Sequence, residues 1–437
     1  MTASLPRHDR DARLNQPVAA RAAASPNMVL AMLLLVYTFN FLDRQIISIL
    51  AQPIKADLGL TDAQLGALGG LAFAMFYSTM AIPLSLLADR TGRARVIAVS
   101  LVVWSAFTAV CGMAANFVQL FLARLGVGVG EAGGVAPSYA VIADRFPPHQ
   151  RGRALAVYSL GIPIGSAAGA MFGAAIAAAV DWRTAFIVIG LAGVLAVIPF
   201  RMVVRDPPRV AAAAHAPVMA VFRRLAAQPV FWMLAFGAGM SSLCGYGFMF
   251  WIPALLQRSF GLSLMETGQF VGGQFLIAGA AGIMLGGVLG DWLGHKSAGG
   301  GARGDRAGYA RVPAIAYLLC APAFAIAFAA GGTTAAFLLL LVPTLLSNIW
   351  LGPVIASVQH LVPAQERATA SACFLLINNG IGLGFGSLLI GRLSDVLTST
   401  HGDDALRTAM TWATLSYLVA GVLMLLAAPR LRKAWME

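Results

Sequence analysis

Charge is scarce in this sequence. Only 11% of its 437 residues are Asp, Glu, Lys or Arg, against 59% hydrophobic, where a water-soluble chain carries roughly a quarter charged residues. Lipid is therefore the solvent implied for most of its surface. Cys111, Cys244, Cys320 and Cys373 lie singly within apolar runs, with no CxxC pair and no clustered histidines, so neither a disulfide nor a metal site is indicated. The absence of a GxxxxGK[ST] sequence removes ATP as a direct energy source. No Ser, His and Asp arrangement of the kind a lipid-modifying enzyme needs stands out. A ring of like charges or a filter motif, as in a channel, is also missing. No enzymatic activity and no cofactor are expected. The first 27 residues alternate Ala with Arg7, Arg10, Arg13 and Arg21 and lack the apolar core of a cleavable signal. They read as a disordered cytoplasmic arm.

What is abundant is apolar sequence in runs of about 20 residues. Twelve spans are predicted, near 28–50, 64–88, 95–114, 118–142, 154–179, 184–204, 230–256, 266–290, 311–330, 334–358, 368–391 and 406–428. Residues 28–204 and 230–428 form two bundles of six, 205–229 a cytoplasmic linker and 429–437 a cytoplasmic tail. The formal charge of +12 raises the thought of nucleic acid, but the basic residues fall in short loops without base-stacking aromatics. Of 30 Lys and Arg, five (Lys55, Arg183, Arg258, Arg392, Arg407) lie on one side and two lie inside spans. The remaining 23 share the side of the termini. By the positive-inside rule both termini are cytoplasmic, and a multi-pass protein of a bacterial inner membrane, working as a monomer, is expected.

The halves are related. Pro137, Pro147, Arg151 and Ala154 recur 216 positions later as Pro353, Pro363, Arg367 and Ala370, while Asp89 recurs 202 positions later as Asp291. The fourteen residues of Ser297 to Ala310 reconcile the two registers. A duplicated bundle implies a pseudo-twofold axis and a central cavity that opens alternately to either side, which suits transport.

Asp89-Arg90-Thr91-Gly92-Arg93 resembles the loop motif between spans two and three of the major facilitator superfamily, with Ser85 where that motif usually begins with Gly. Asp89, Arg90, Arg93 and Asp291 are expected to act as a gate, a carboxylate among guanidinium groups latching neighbouring helices. The chain is similar, more closely, to the spinster branch of that superfamily. That likeness runs through Asp43-Arg44, Arg124 to Ala132, Ala136-Pro137, Ile162 to Ser166, Arg367 to Ala370 and Leu393-Ser394-Asp395. It implies a carrier of lysophospholipids or sphingoid phosphates, in some cases coupled to protons.

Four ionisable side chains lie deep within spans: Asp43, Arg44, Arg124 and Glu131. Each is costly if unpaired in hydrocarbon, so all should face a cavity or one another. With both carboxylates ionised the cluster is neutral; protonating either leaves net positive charge that favours an anionic substrate. Asp43 and Glu131 are thus the candidate proton sites, Arg44 the group for an anionic head, and Arg124 the group that holds the carboxylates. A permanent Asp43–Arg124 bridge is the alternative. The second half offers Tyr246, Phe248, Phe250, Trp251, Gln274, Phe275, Asn348, Phe374, Asn378 and Asn379 instead of charge. Of these, Tyr246, Phe250, Asn378 and Asn379, with Arg44 and Arg124, are the candidate substrate contacts. A charged wall facing an aromatic and amide wall suits an amphiphile. The expected function is a proton-coupled secondary transporter of such a substrate, with a multidrug exporter or an importer of small organic anions as the other readings. Protons, membrane lipids and a small-molecule or lipid substrate are its expected partners, and nucleic acid is not.

Overall fold

The structure is a computed structural model that describes residues 24–206, 218–298, 306–363 and 366–436. Among those residues every regular element is a helix. Ten stretches are long and apolar enough to cross a membrane. Two features account for the difference from the twelve expected spans. The fourth span is two shorter helices, Phe117–Glu131 and Val135–Arg145, interrupted at Ala132-Gly133-Gly134. The stretch Thr369–Ala434 holds 66 residues, about 99 Å if straight and some three times the hydrocarbon thickness. It folds back at Gly402, whose φ of 52° suits glycine. That turn divides Arg367–His401 from Ala405–Ala413 and Leu415–Ala434. Span eleven runs ten residues beyond its expected end, so Arg392 and Asp395 sit on a helix that continues past the bilayer instead of in a loop.

The repeat is written into the local structure. Gly59 (φ 62°) and Gly261 (φ 66°) turn the chain in the left-handed region, 202 positions apart. Two residues later Thr61 and Ser263 open capping boxes with Gln64 and Glu266. In each box the hydroxyl accepts from the N3 amide while the N3 side chain accepts from the cap amide. Spans two and eight then each contain a π segment, Ala67–Leu71 and Phe275–Gly279, a feature that recurs at functional helices. The break of span four at 132–134 recurs in span ten, where Thr333–Leu346 gives way to Leu351–Gln359. Val135 and Leu351, which restart the two helices, stand 216 apart, so both registers of the sequence repeat persist in three dimensions.

Small residues bring helices together. A Cβ on Gly169 would lie 2.5 Å from the Leu42 carbonyl oxygen, and one on Gly130 would lie 2.5 Å from the Trp104 amide. At these points backbones touch because no side chain intervenes. Large apolar side chains such as Met113, Leu195, Val288 and Val422 are exposed on the outer surface, as lipid requires and water would not. The two halves meet where span two packs on eleven, five on eight and one on seven.

Candidate functional site

Adjacent residues on a helix point about 100° apart, and Asp43 and Arg44 of span one divide accordingly. Asp43 turns to span three, where its Oδ2 accepts from the Thr108 hydroxyl; its Oδ1, though buried, has no hydrogen-bond partner among the described residues. Arg44 turns to spans two and four. Its Nε donates to Glu131 Oε2 at 2.9 Å, and Asn40 Nδ2 donates to the same oxygen at 2.7 Å. The Arg44 guanidinium lies 4.6 Å from the ring centroids of Phe73 and Tyr77 and 5.0 Å from that of Phe41, a cation–π setting on three sides. Glu131 is fully buried, and its Oε1 has no hydrogen-bond partner among the described residues. Arg124 is also buried, 5.6 Å from the Phe73 ring, and its Nε and Nη1 find no hydrogen-bond partner among the described residues.

The structure therefore brings all four deep charges together, with a pairing that differs from the expected one. Arg44, not Arg124, holds a carboxylate. Helical side chains lean toward their own N-terminus. On span one that lean carries Arg44 toward the level of Glu131. Span four runs the opposite way, so Arg124, two turns before Glu131, leans away from it. The alternative bridge between Asp43 and Arg124 is not formed as a hydrogen bond either.

Two cavities adjoin this cluster. A slot of about 30 Å³ is lined by Arg44, Phe73, Arg124, Tyr246, Phe250 and Ser387, among others. Beside it a cavity of about 210 Å³ opens into the second half, walled by Phe41, Phe248, Gln274, Phe275, Asn348 and Tyr417 with their neighbours. Tyr246 and Met249 belong to both. Charge thus lies on one side of that partition and mostly apolar surface on the other. Four expected wall residues are placed elsewhere. Trp251 is buried and donates to the Ser387 carbonyl at 2.8 Å, and Phe374 packs in the core beside Trp350. Asn378 accepts from the Ser242 hydroxyl at 2.8 Å and donates to Asn379. Neither asparagine lines the two cavities.

At the end of the bundle away from the chain termini the halves are tied together, and sequence reasoning missed this site. Buried Asp62, at the start of span two, accepts from both Nη atoms of Arg258, from Lys55 at 2.6 Å and from Ser394 at 2.7 Å. Asp395 in turn accepts from the Asp62 and Ala63 amides at 3.0 and 2.8 Å, capping span two from span eleven. The signal was present as the recurring Gly-Leu-Thr and Gly-Leu-Ser turns and in Arg258 as one of five outer basic residues. At the terminal end, Arg93 donates to Asp89 and Asp144, and Asp206 accepts from the Ala94 and Arg95 amides. This latch ties spans two, three and four within the first half. Arg90 is exposed, and the Asp291 side chain lies outside the described residues.

Residues 33–387 match the family described as the Major Facilitator Superfamily. Over 408 residues, 93% of each chain, the sequence is 33% identical to an MFS-type efflux pump of Mycolicibacterium smegmatis. It is 31% identical over 280 residues to a probable L-galactonate transporter of Escherichia coli, covering 60% of this chain and 61% of that one. The fold superposes with a TM-score of 0.81 and 27% identity on a bacterial homolog of the human lysosomal transporter spinster, in an inward-facing and unoccupied conformation, over 94% and 98% of the two chains. Multi-pass topology, the duplicated bundle and this match over most of the chain agree: the protein is a transporter of the Major Facilitator Superfamily.

Proposed function

We propose that the protein is a proton-coupled carrier of an amphiphilic anion, such as a lysophospholipid or sphingoid phosphate, working by alternating access in a bacterial inner membrane with both termini cytoplasmic. The observation that carries this reading is the shared Tyr246 and Met249 wall between the arginine slot and the larger second-half cavity. An anionic head fits against Arg124, whose Nε and Nη1 are unpartnered, while an apolar chain fits the aromatic cavity. Coupling runs through Glu131. While ionised it holds Arg44; once protonated it releases that guanidinium, and the site gains a positive charge for the anion. Asp43, with one unpartnered oxygen, is the second proton site. In this reading the Asp62–Arg258 pair between the halves is the contact that breaks when that end opens.

A second reading, a small organic anion without the chain, is favoured by the small volume of the slot and by the similarity to the probable L-galactonate transporter. Proteoliposomes under an imposed pH gradient test both. Gradient-driven flux of a labelled lysophospholipid, lost in Asp43→Asn and Glu131→Gln, supports the first reading. Competition by small carboxylates but not lysolipids supports the second, and flux indifferent to the gradient in wild type sinks proton coupling.

A further inference from the structure

The linker between the halves ends in a helix, Val218–Ala226, that packs on spans seven and eleven. Between its end, the start of span seven and span twelve lies an open groove of about 380 Å³, bounded by Ala226, Ala227, Pro229, Trp232, Phe236 and Leu423. The walls are apolar and held in place. Trp232 stacks on Phe236 with centroids 5.7 Å apart, meets Phe222 edge-on at 6.4 Å, and donates its indole N–H to the Ala226 carbonyl at 2.9 Å. A tryptophan fixed in this manner at the end of a span marks the headgroup level of a bilayer. Phe236 is 43% exposed, on the surface that faces lipid.

The rim of the groove is basic. Arg223 precedes Ala226 and Ala227 by three and four residues, so it shares their helix face; it is exposed and has no ion pair among the described residues. Its neighbour Arg224, by contrast, pairs with Glu366 at 3.4 Å. Arg430 follows Leu423 by two turns on the same stripe of span twelve and is exposed, one of its nitrogens donating to the Leu426 carbonyl. Among the described residues no acidic side chain lines the groove. We propose that it binds one anionic phospholipid of the adjoining leaflet, with an acyl chain along Trp232, Phe236 and Leu423 and the phosphate between Arg223 and Arg430. A second copy of the chain is a poor occupant, because a twofold contact would set one basic rim against the other. A zwitterionic lipid would leave the rim unmatched.

The test is native mass spectrometry of the full-length protein titrated with phosphatidylglycerol and with phosphatidylcholine of the same chains. One phosphatidylglycerol should be retained ahead of phosphatidylcholine. Arg223→Gln should weaken that retention about fivefold, the effect of one basic residue near an anionic surface, and Arg223→Lys should restore it. Ala227→Trp fills the groove from an exposed position and should abolish retention with the melting temperature unchanged. Equal retention of both lipids overturns the proposal, as does phosphatidylglycerol retention indifferent to both Arg223→Gln and Ala227→Trp. Wild-type dimers that Ala227→Trp dissociates would assign the groove to a second copy instead.

Discussion

Arg258 grips Asp62 with both terminal nitrogens, at 2.6 and 2.7 Å, and the two residues come from opposite halves. A fork-to-fork pair of this kind is strong and directional, and Lys55 and Ser394 complete the coordination of the carboxylate. Asp62→Asn should open this end. With Gly245→Cys as a reporter in the second-half cavity, labelling by a membrane-impermeant thiol reagent applied from that side should rise several-fold. Unchanged labelling would mean that the ion pair does not hold the gate.

The same end can be wedged without touching a charge. A Cβ on Gly70 would lie 2.5 Å from the Leu383 carbonyl oxygen, so Gly70→Ala should push spans two and eleven apart. Spin labels at exposed Ala56 and Ser399 should report a longer separation than in the parent protein.

Glu131→Gln mimics the protonated acid and frees Arg44. Wild-type affinity for an anionic substrate should rise as pH falls and Glu131 takes up its proton, whereas the variant should bind tightly with little pH dependence. Calorimetric titration across the pH range checks this, and parallel pH profiles for the two proteins would remove Glu131 from the coupling.

The two arginines should separate by phenotype. Arg44→Gln strips the buried Glu131 of its cation, a loss of roughly 3–5 kcal/mol for a buried pair broken on one side, and should lower the melting temperature markedly. Arg124→Gln removes a guanidinium with two unpartnered nitrogens and should leave melting nearly unchanged while abolishing anion binding.

At the chain end, His360 stacks on Trp435 with centroids 4.1 Å apart and exchanges hydrogen bonds with Met436. Burial first, and then the charges of Arg367 and Arg306, hold its pKa below the usual 6.5. The unfastened tail therefore protonates first, and docking is complete above pH 6.5 and weakens as pH falls below it. Carboxypeptidase should trim the C-terminus faster below pH about 6 than at neutral pH, and His360→Gln should flatten that difference.

The spans were legible because lipid demands long apolar runs, and the charge cluster because four ionisable residues stand out in such runs. The pairing within it was not. Two acids and two arginines allow several partnerships, and the choice rests on helix direction and side-chain lean, which give Glu131 to Arg44. Asp62 and Arg258 were hidden for the opposite reason: charged residues at span ends are ordinary, and only the meeting of span seven of one half with the start of span two of the other makes these two a pair. Asn378 and Asn379 lie outside both cavities because an amide within a span can satisfy a neighbouring helix, here through Ser242, as readily as it can face a substrate.

The placement of the deep charges has an evolutionary consequence. All four belong to the first half, while most of the larger cavity is walled by the second. The two related halves thus differ in kind, one carrying all four deep ionisable side chains and the other supplying most of the wall of the cavity. On the proposed reading, substitutions around Phe248, Phe275 and Asn348 change what is carried while leaving the charged cluster untouched, so a lineage acquires new cargo by mutating one half of the gene.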